Sequence, residues 1–203
     1  MSPFRQKTTR ILIVDDDDDD FFITSKYIQE IEEGRFHIEW AKQYKEALEQ
    51  MRSHAFDIYF VDYRLGIKTG IELLQAAIEA KCEEPIILLT GKGNREIDRM
   101  AMKLGAFDYL VKSELNTEKL ERTIRYALER SSYINAIRKN ERKFRNIFEQ
   151  SLDAVFIMDM NLKFRELNKS SIDLLGFSFD TLLQKQLPSL LNDELEGSKL
   201  KQY

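Results

Sequence analysis

Phe56-Asp57-Ile58-Tyr59-Phe60-Val61-Asp62-Tyr63-Arg64-Leu65-Gly66 is a short apolar run that ends in a carboxylate and passes into a glycine-containing loop. A run of that length, rich in β-branched and aromatic residues, predicts a strand buried on both faces of a parallel sheet. Asp62 then falls at the strand's C-terminal end, where open α/β sheets hold their ligands. It is the candidate residue around which the rest of the chain is arranged.

Upstream, Arg10-Ile11-Leu12-Ile13-Val14 is a second continuous apolar run and ends in six aspartates, Asp15 to Asp20. Adjacent like charges repel, and such a run ordinarily reads as a solvated tail. Here an amphipathic segment, Phe21 to Ile31, follows. The last aspartates therefore fall in a helix's first turn, where the helix dipole favours negative charge. That accounts for Asp18 to Asp20, but not for Asp15 and Asp16 at the strand tip. Phe36 to Ala41 alternates and predicts a strand near a sheet edge, and Tyr44 to Met51 predicts a helix.

Downstream of Asp62 come a loop and a helix from about Gly70, with Leu73, Leu74, Ala77 and Ile78 on its apolar face. Pro85 opens a fourth strand, Ile86 to Thr90, at the position a strand tolerates proline. Asn94 is a candidate cap for the helix holding Ile97, Met100, Ala101 and Leu104, and Gly105 ends it. Phe107 to Val111 is the fifth strand, with Lys112 at its tip. Five alternations of strand and helix specify a parallel sheet covered on both faces.

A fifth helix starts near Thr117 and meets no Gly or Pro before Gly176. Leu120, Ile124, Ala127, Ser131, Ile134, Ile137, Glu141, Phe144 and Phe148 follow one another at spacings of three and four, one residue short of a regular heptad. The stripe predicts either a homodimer through helix 117–148 or a helix packed on its own domain and continued as a solvated linker. From about Asn146 the pattern changes. Ala154 to Asp159 and Lys163 to Asn168 read as two strands about a Met160-Asn161 turn, followed by helical pieces at 171–175, 181–184 and 187–191. Two strands and short helices are too little to bury a full core alone.

The 203 residues, 43% hydrophobic and 33% charged, allow two small domains with proper cores. A net charge of −4 argues against a general nucleic-acid or anionic-membrane binder. No run reaches the roughly 18 apolar residues that span a bilayer, and the first residues carry no apolar targeting core. A single cysteine, Cys82, forms no internal disulfide and reads as a buried small hydrophobe in a reducing, cytoplasmic setting. The two histidines, His37 and His54, precede residue 117, so the tail holds no histidine-kinase phosphoacceptor helix. Nor does it hold a basic recognition helix for DNA.

Asp15, Asp16, Asp62, Thr90 and Lys112 thus sit at four strand tips of one sheet edge. The pieces ILIVDD (Ile11 to Asp16), FVDYRLG (Phe60 to Gly66) with Gly70, ILLTG (Ile87 to Gly91) and DYLVK (Asp108 to Lys112) resemble, in order and spacing, the response-regulator receiver domain. The resemblance covers about residues 8 to 130 and implies a flavodoxin-like (βα)5 fold with strand order 2-1-3-4-5. It implies Asp62 as phosphoacceptor, and Asp15, Asp16, Asp62 and the main-chain carbonyl of Arg64 as ligands of Mg2+. Lys112 and Thr90 become the phosphoryl-binding catalytic groups, Gly91 leaves the phosphoryl group room, and Thr90 with Tyr109 forms the switch to the face of the fourth helix, fifth strand and fifth helix. A sensor histidine kinase or phosphotransfer protein is the implied partner. Self-phosphorylation and slow self-dephosphorylation are the only chemistry expected of the chain, which is not otherwise an enzyme. Departures are Ser113 where a cis-forming proline is common, Gly66 in place of a frequent proline, and the four aspartates after Asp16.

The stretch ERKFRNIFEQSLDAVFIMD through RELNKSSIDLLGFS resembles the opening half of a PAS sensor domain. The expected organisation is a receiver domain at 1–130, a helical linker and candidate coiled coil at 131–145, and a partial α+β PAS-like unit at 146–203. Two other readings compete. A haloacid-dehalogenase-type phosphatase would use Asp15, Asp17, Thr90 and Lys112 but leaves Asp62 unexplained. A dimeric adaptor would keep the fold and work without phosphorylation.

Overall fold

The computed structural model describes residues 8–32, 34–91 and 95–190. The chain separates into two compact units, Met1–Asn135 and Ala136–Tyr203. In the first, β1 (Thr9–Val14), β2 (Phe36–Ala41), β3 (Ile58–Asp62), β6 (Ile86–Thr90) and β7 (Asp108–Val111) form a five-stranded sheet. The spatial order is β2-β1-β3-β6-β7 and every pairing is parallel, which is order 2-1-3-4-5 among the sheet strands. This is the flavodoxin-like arrangement expected, with β2 at an edge.

The sheet buries two faces because its central strands, β1, β3 and β6, carry unbroken apolar runs. On one face Ile11, Ile13, Ile58, Phe60, Ile87, Leu89 and Leu110 pack with Ile28 of α1 (Asp18–Gln29) and with Leu120, Ile124 and Ala127 of α5 (Thr117–Gln150). On the other, Leu12, Val14, Tyr59, Val61 and Leu88 meet α2 (Tyr44–Arg52), α3 (Gly70–Glu79) and α4 (Arg95–Leu104) through Met51, Leu74 and Ala101. Capping fixes where these helices begin. Asp17 accepts the amides of Asp19 and Asp20, and Thr69 and Glu72 form a reciprocal capping box on α3. The candidate cap Asn94 lies outside the described residues.

Two features of the first unit escaped the sequence pattern. The loop after β3 is a two-stranded hairpin, β4 (Arg64–Leu65) with β5 (Lys68–Thr69). Its turn needs Gly66 at φ +63°, a backbone conformation closed to proline. The Lys112–Ser113 bond is trans, as is every peptide bond among the described residues, and Lys112–Glu114 makes a single 3₁₀ turn. The apolar stripe of α5 packs at its start on its own domain, one of the two arrangements its periodicity allows. Leu120, Ile124 and Ala127 are wholly buried against the unit's own sheet and are closed to a second copy, while Ile137 is 67% exposed.

Cys82 packs half-buried against the α2–α4 face with Sγ 3.2 Å from Glu84 Oε2, and burial together with that carboxylate pushes its thiol up to about 12. Nearby, Tyr59 is fully buried and its hydroxyl has no hydrogen-bond partner among the described residues. Burial pushes its phenol far above the ordinary range. An unpartnered buried hydroxyl carries a desolvation penalty of about 1–3 kcal/mol. Tyr59→Phe is therefore expected to leave stability unchanged or to raise it by about 1 kcal/mol in chemical denaturation. A loss of that size instead would reveal a bound partner for the hydroxyl.

In the second unit β8 (Phe156–Met158) and β9 (Phe164–Leu167) pair antiparallel. They are followed by α6 (Lys169–Leu175), α7 (Phe179–Gln184) and a helical turn at 187–190. Phe164, Leu167, Leu182 and Leu190 form a small separate core. Asn168 is completely buried and fully bonded. Its Nδ2 donates to the carbonyls of Phe148 and Asp153 at 3.0 and 2.9 Å, and its Oδ1 accepts from Val155 N, Ser171 N and Ser171 Oγ at 3.0, 2.9 and 2.7 Å. No helix among the described residues is long and apolar enough to cross a membrane.

Candidate functional site

Strand parity gathers the site. Alternate residues of a strand point to opposite faces, so Asp15 continues the Ile11–Ile13 row, Asp62 the Ile58–Phe60 row and Lys112 the Leu110 row. All three therefore emerge on the α1–α5 side of the sheet's C-terminal edge, at the tips of β1, β3 and β7. The Lys112 Nζ lies 2.7 Å from Asp15 Oδ2 and 2.6 Å from Asp62 Oδ1. Asp15 is wholly buried and Asp62 is 6% exposed. Thr90 belongs to the opposite row, with Leu88, and is buried at the neighbouring tip. These groups line a cavity of about 530 Å³ together with Asp16, Asp20, Arg64 and Gly91. A side chain at Gly91 would meet no described atom within 4 Å, so the space beside it is open.

Each carboxylate is held by main-chain donors. Asp15 Oδ1 accepts from Asp17 N at 3.0 Å, Asp62 Oδ2 from Arg64 N at 2.8 Å, and Asp16 Oδ2 from Gly66 N at 3.0 Å. The last bond explains the departure at residue 66: proline has no N–H to give Asp16. Asp17 spends its carboxylate capping α1, which removes it from the acid role a phosphatase of the haloacid-dehalogenase type would ask of it.

Burial and the Lys112 ammonium together set the electrostatics of the site. Burial pushes the Asp15 carboxyl up to about 6, against the opposing pull of Lys112 and the Asp17 amide. Burial also raises Asp62, again against Lys112. Burial works against the Lys112 ammonium as well, but its hydrogen bonds to Asp15, Asp20 and Asp62 outweigh that and raise it. One oxygen from each of Asp15, Asp16 and Asp62 lies within 4.8 Å of the others. Clustered hard oxygens facing an open cavity fit a small divalent cation that keeps part of its water shell.

Two contacts lay beyond sequence reasoning. Trp40 Nε1, at the end of β2, donates to the main-chain carbonyl of Asp15 at 2.9 Å, and its ring stacks on Phe21 of α1 at 4.2 Å. Asp20 Oδ2 accepts from Lys112 Nζ at 2.6 Å, although the helix dipole alone accounted for Asp20 in the sequence. Neither has a local signature, since both join residues distant along the chain. Tyr109 pairs with Leu88 in register, two positions before the Val111 that faces Thr90, and packs half-buried on the α2–α4 side.

A doubly wound parallel sheet with two buried aspartates bridged by a strand-tip lysine defines a flavodoxin-like receiver domain. Residues 11–125, more than half of the chain, match the response regulator receiver domain, and residues 142–201 match a PAS domain. The chain belongs to the response-regulator receiver family, and in this chain the receiver match is followed by the match to a PAS domain. It is similar to the transcriptional regulatory protein ZraR of Escherichia coli O157:H7, 32% identical over 101 residues, which are 50% of this chain and 23% of that protein. It is also similar to the response regulator protein PilR of Pseudomonas aeruginosa, 34% identical over 85 residues, 41% of this chain and 19% of that one. The similarity therefore spans about a quarter or less of these relatives' own lengths. Among solved structures, a CheY-like receiver domain protein of Methanospirillum hungatei is 26% identical, with a TM-score of 0.56 over 63% of this chain and 98% of its own. The chemotaxis protein CheY4 of Vibrio cholerae is 27% identical, with a TM-score of 0.53 over 60% of this chain and 100% of its own.

Proposed function

We propose that the receiver domain accepts a phosphoryl group on Asp62 and works as a switch in a two-component phosphorelay. The observation that carries this reading is the Lys112 ammonium bridging the buried carboxylates of Asp15 and Asp62 at the mouth of an open cavity. An oxygen of Asp62 attacks phosphorus of the donor. The new bond is an acyl phosphate, and the bond from phosphorus to the donor breaks with its electron pair leaving on the donor. The Arg64 amide orients the Asp62 carboxylate, Lys112 donates to the phosphoryl oxygens, and the Thr90 hydroxyl adds a further donor. Asp15, Asp16, Asp62 and the main-chain carbonyl of Arg64 would hold Mg2+. When bound, the ion supplies charge that offsets the repulsion between these carboxylates and the arriving phosphoryl group.

On this reading the donor is a sensor histidine kinase or a phosphotransfer protein, and the chain acts in the cytoplasm. Beyond its own phosphorylation and slow hydrolysis it turns over no substrate. Phosphorylation draws Thr90 toward the new group, and Tyr109 follows into the space released, remodelling the α4–β7–α5 face. The receiver at 1–130 then signals through the helical segment 131–145 toward the PAS-like unit at 146–203.

Intact mass measured after incubation with Mg2+ and a small acyl phosphate tests the proposal. Wild type gains one phosphoryl group and Asp62→Asn gains none. No adduct on folded wild type would transfer the function to an adaptor independent of phosphorylation. An adduct that survives in Asp62→Asn but is lost in Asp15→Asn would place the nucleophile at the first strand tip.

A further inference from the structure

The six-aspartate run is only partly used by the function proposed above. Asp15 and Asp16 belong to the candidate cation group, Asp17 caps α1, and Asp18 pairs with Lys42 at 2.7 Å. Asp20 stands apart. It is the third residue of α1, its amide is held by Asp17 Oδ1 at 3.1 Å, and its carboxylate crosses to Lys112 at the far strand tip, 2.6 Å away. A helix dipole attracts negative charge to the first turn but does not aim a carboxylate at a particular ammonium.

We propose that Asp20 is a positioning residue that holds the Lys112 ammonium in place while Asp62 is phosphorylated. This rests on Asp62 being the acceptor, and it adds no bond to the transfer step itself. A lysine ammonium has three N–H donors. Lys112 spends them on Asp15, Asp20 and Asp62 at 2.7, 2.6 and 2.6 Å, with 13% of its side chain exposed. Two of these partners are called on by the chemistry. Asp62 gives up an oxygen to the acyl phosphate, and Asp15 belongs to the group that would hold the cation. Asp20 lies outside that group, so it alone keeps its carboxylate free for the lysine throughout. Lys112 then exchanges one acceptor, from Asp62 to a phosphoryl oxygen, without swinging into solvent. Because Asp20 sits on a capped helix packed against the sheet, the anchor is rigid, and preorganisation of this kind lowers the barrier.

The test compares Asp20→Ala and Asp20→Asn with Asp19→Ala on the full chain. Asp19 carries the same charge in the same helical turn but reaches no lysine among the contacts described. The first readout uses the protein without cation or donor: the side-chain 1H–15N resonance of the Lys112 ammonium, slowed in exchange by its three charged partners. It is expected in wild type and Asp19→Ala, weakened in Asp20→Asn, and lost to fast exchange in Asp20→Ala. The second readout is the rate of adduct formation with Mg2+ and the acyl phosphate, expected to fall about tenfold in Asp20→Ala and to be unchanged in Asp19→Ala. An unaltered ammonium resonance in both Asp20 variants, or equal effects of the Asp19 and Asp20 changes, would overturn the assignment. Absence of any adduct in wild type would count against Asp62 as acceptor, and the ammonium resonance would still report whether Asp20 holds Lys112.

Discussion

Gly70→Ala is expected to destabilise the receiver unit by about 3 kcal/mol and to lower its melting temperature by roughly 10 °C. A Cβ on residue 70 would lie 2.3 Å from the main-chain carbonyl oxygen of Asp62, 3.1 Å from its carbonyl carbon and 3.1 Å from Leu88 Cδ2. The obstacle is backbone, which has no rotamer to turn aside. Relief has to come from moving either the start of α3, tied by Gly70 N to Tyr63 O at 2.8 Å, or the end of β3. Either movement displaces Asp62, so the phosphoryl adduct should also form more slowly in whatever fraction stays folded. Thermal unfolding followed by circular dichroism measures the first effect and intact mass the second. A melting temperature within about 2 °C of wild type would show that the strand end and helix part at little cost, and that the close approach places no constraint on the site.

Asn168→Ala is expected to unfold the second unit. One buried amide side chain satisfies two carbonyls, two amides and a hydroxyl, joining the last turn of α5 to the start of β8 and to α6. Truncation leaves the two carbonyls and the Val155 amide without this partner, at about 1–3 kcal/mol for each group that finds no replacement, while Ser171 N and Oγ keep the carbonyls of Asn168 and Val155. A total of roughly 3–5 kcal/mol exceeds what a two-stranded unit with a four-residue core can spare. Amide hydrogen exchange reports this directly, with protection of the Val155 and Ser171 amides collapsing in the variant. Asn168→Asp should fail in the same way, because it keeps the acceptor but turns an oxygen toward the carbonyls of Phe148 and Asp153. Undiminished protection at both amides in either variant would remove the lock from Asn168.

Much of the fold was legible because each sheet strand announces itself. Ile11 to Val14, Ile58 to Val61 and Ile86 to Leu89 are unbroken apolar runs, and such runs are buried on both faces only where helices cover both. The short hairpin at Arg64 to Thr69 was not legible, since two-residue strands about Gly66-Ile67 carry no periodicity to read. The long helix shows a different limit. Its stripe was visible, but periodicity tells that a face is apolar and not what covers it. Leu120 and Ile124 go to the receiver sheet, while Phe148 is buried in the other unit.

The site divides along the same line. By itself the sequence determined that Asp15, Asp62, Thr90 and Lys112 end consecutive apolar runs, and hence that a parallel sheet sets them on one edge. Side-chain alternation then sends Asp15, Asp62 and Lys112 to one side of that edge. Tertiary structure alone decided what else reaches them: Gly66 giving its amide to Asp16, Trp40 holding the Asp15 carbonyl, and Asp20 taking the third proton of Lys112. These bonds span 50, 25 and 92 residues of chain, and nothing in the local pattern at either end requires the other. Strand position is a local property of the chain, whereas a lysine's choice among nearby carboxylates depends on how helix and sheet pack.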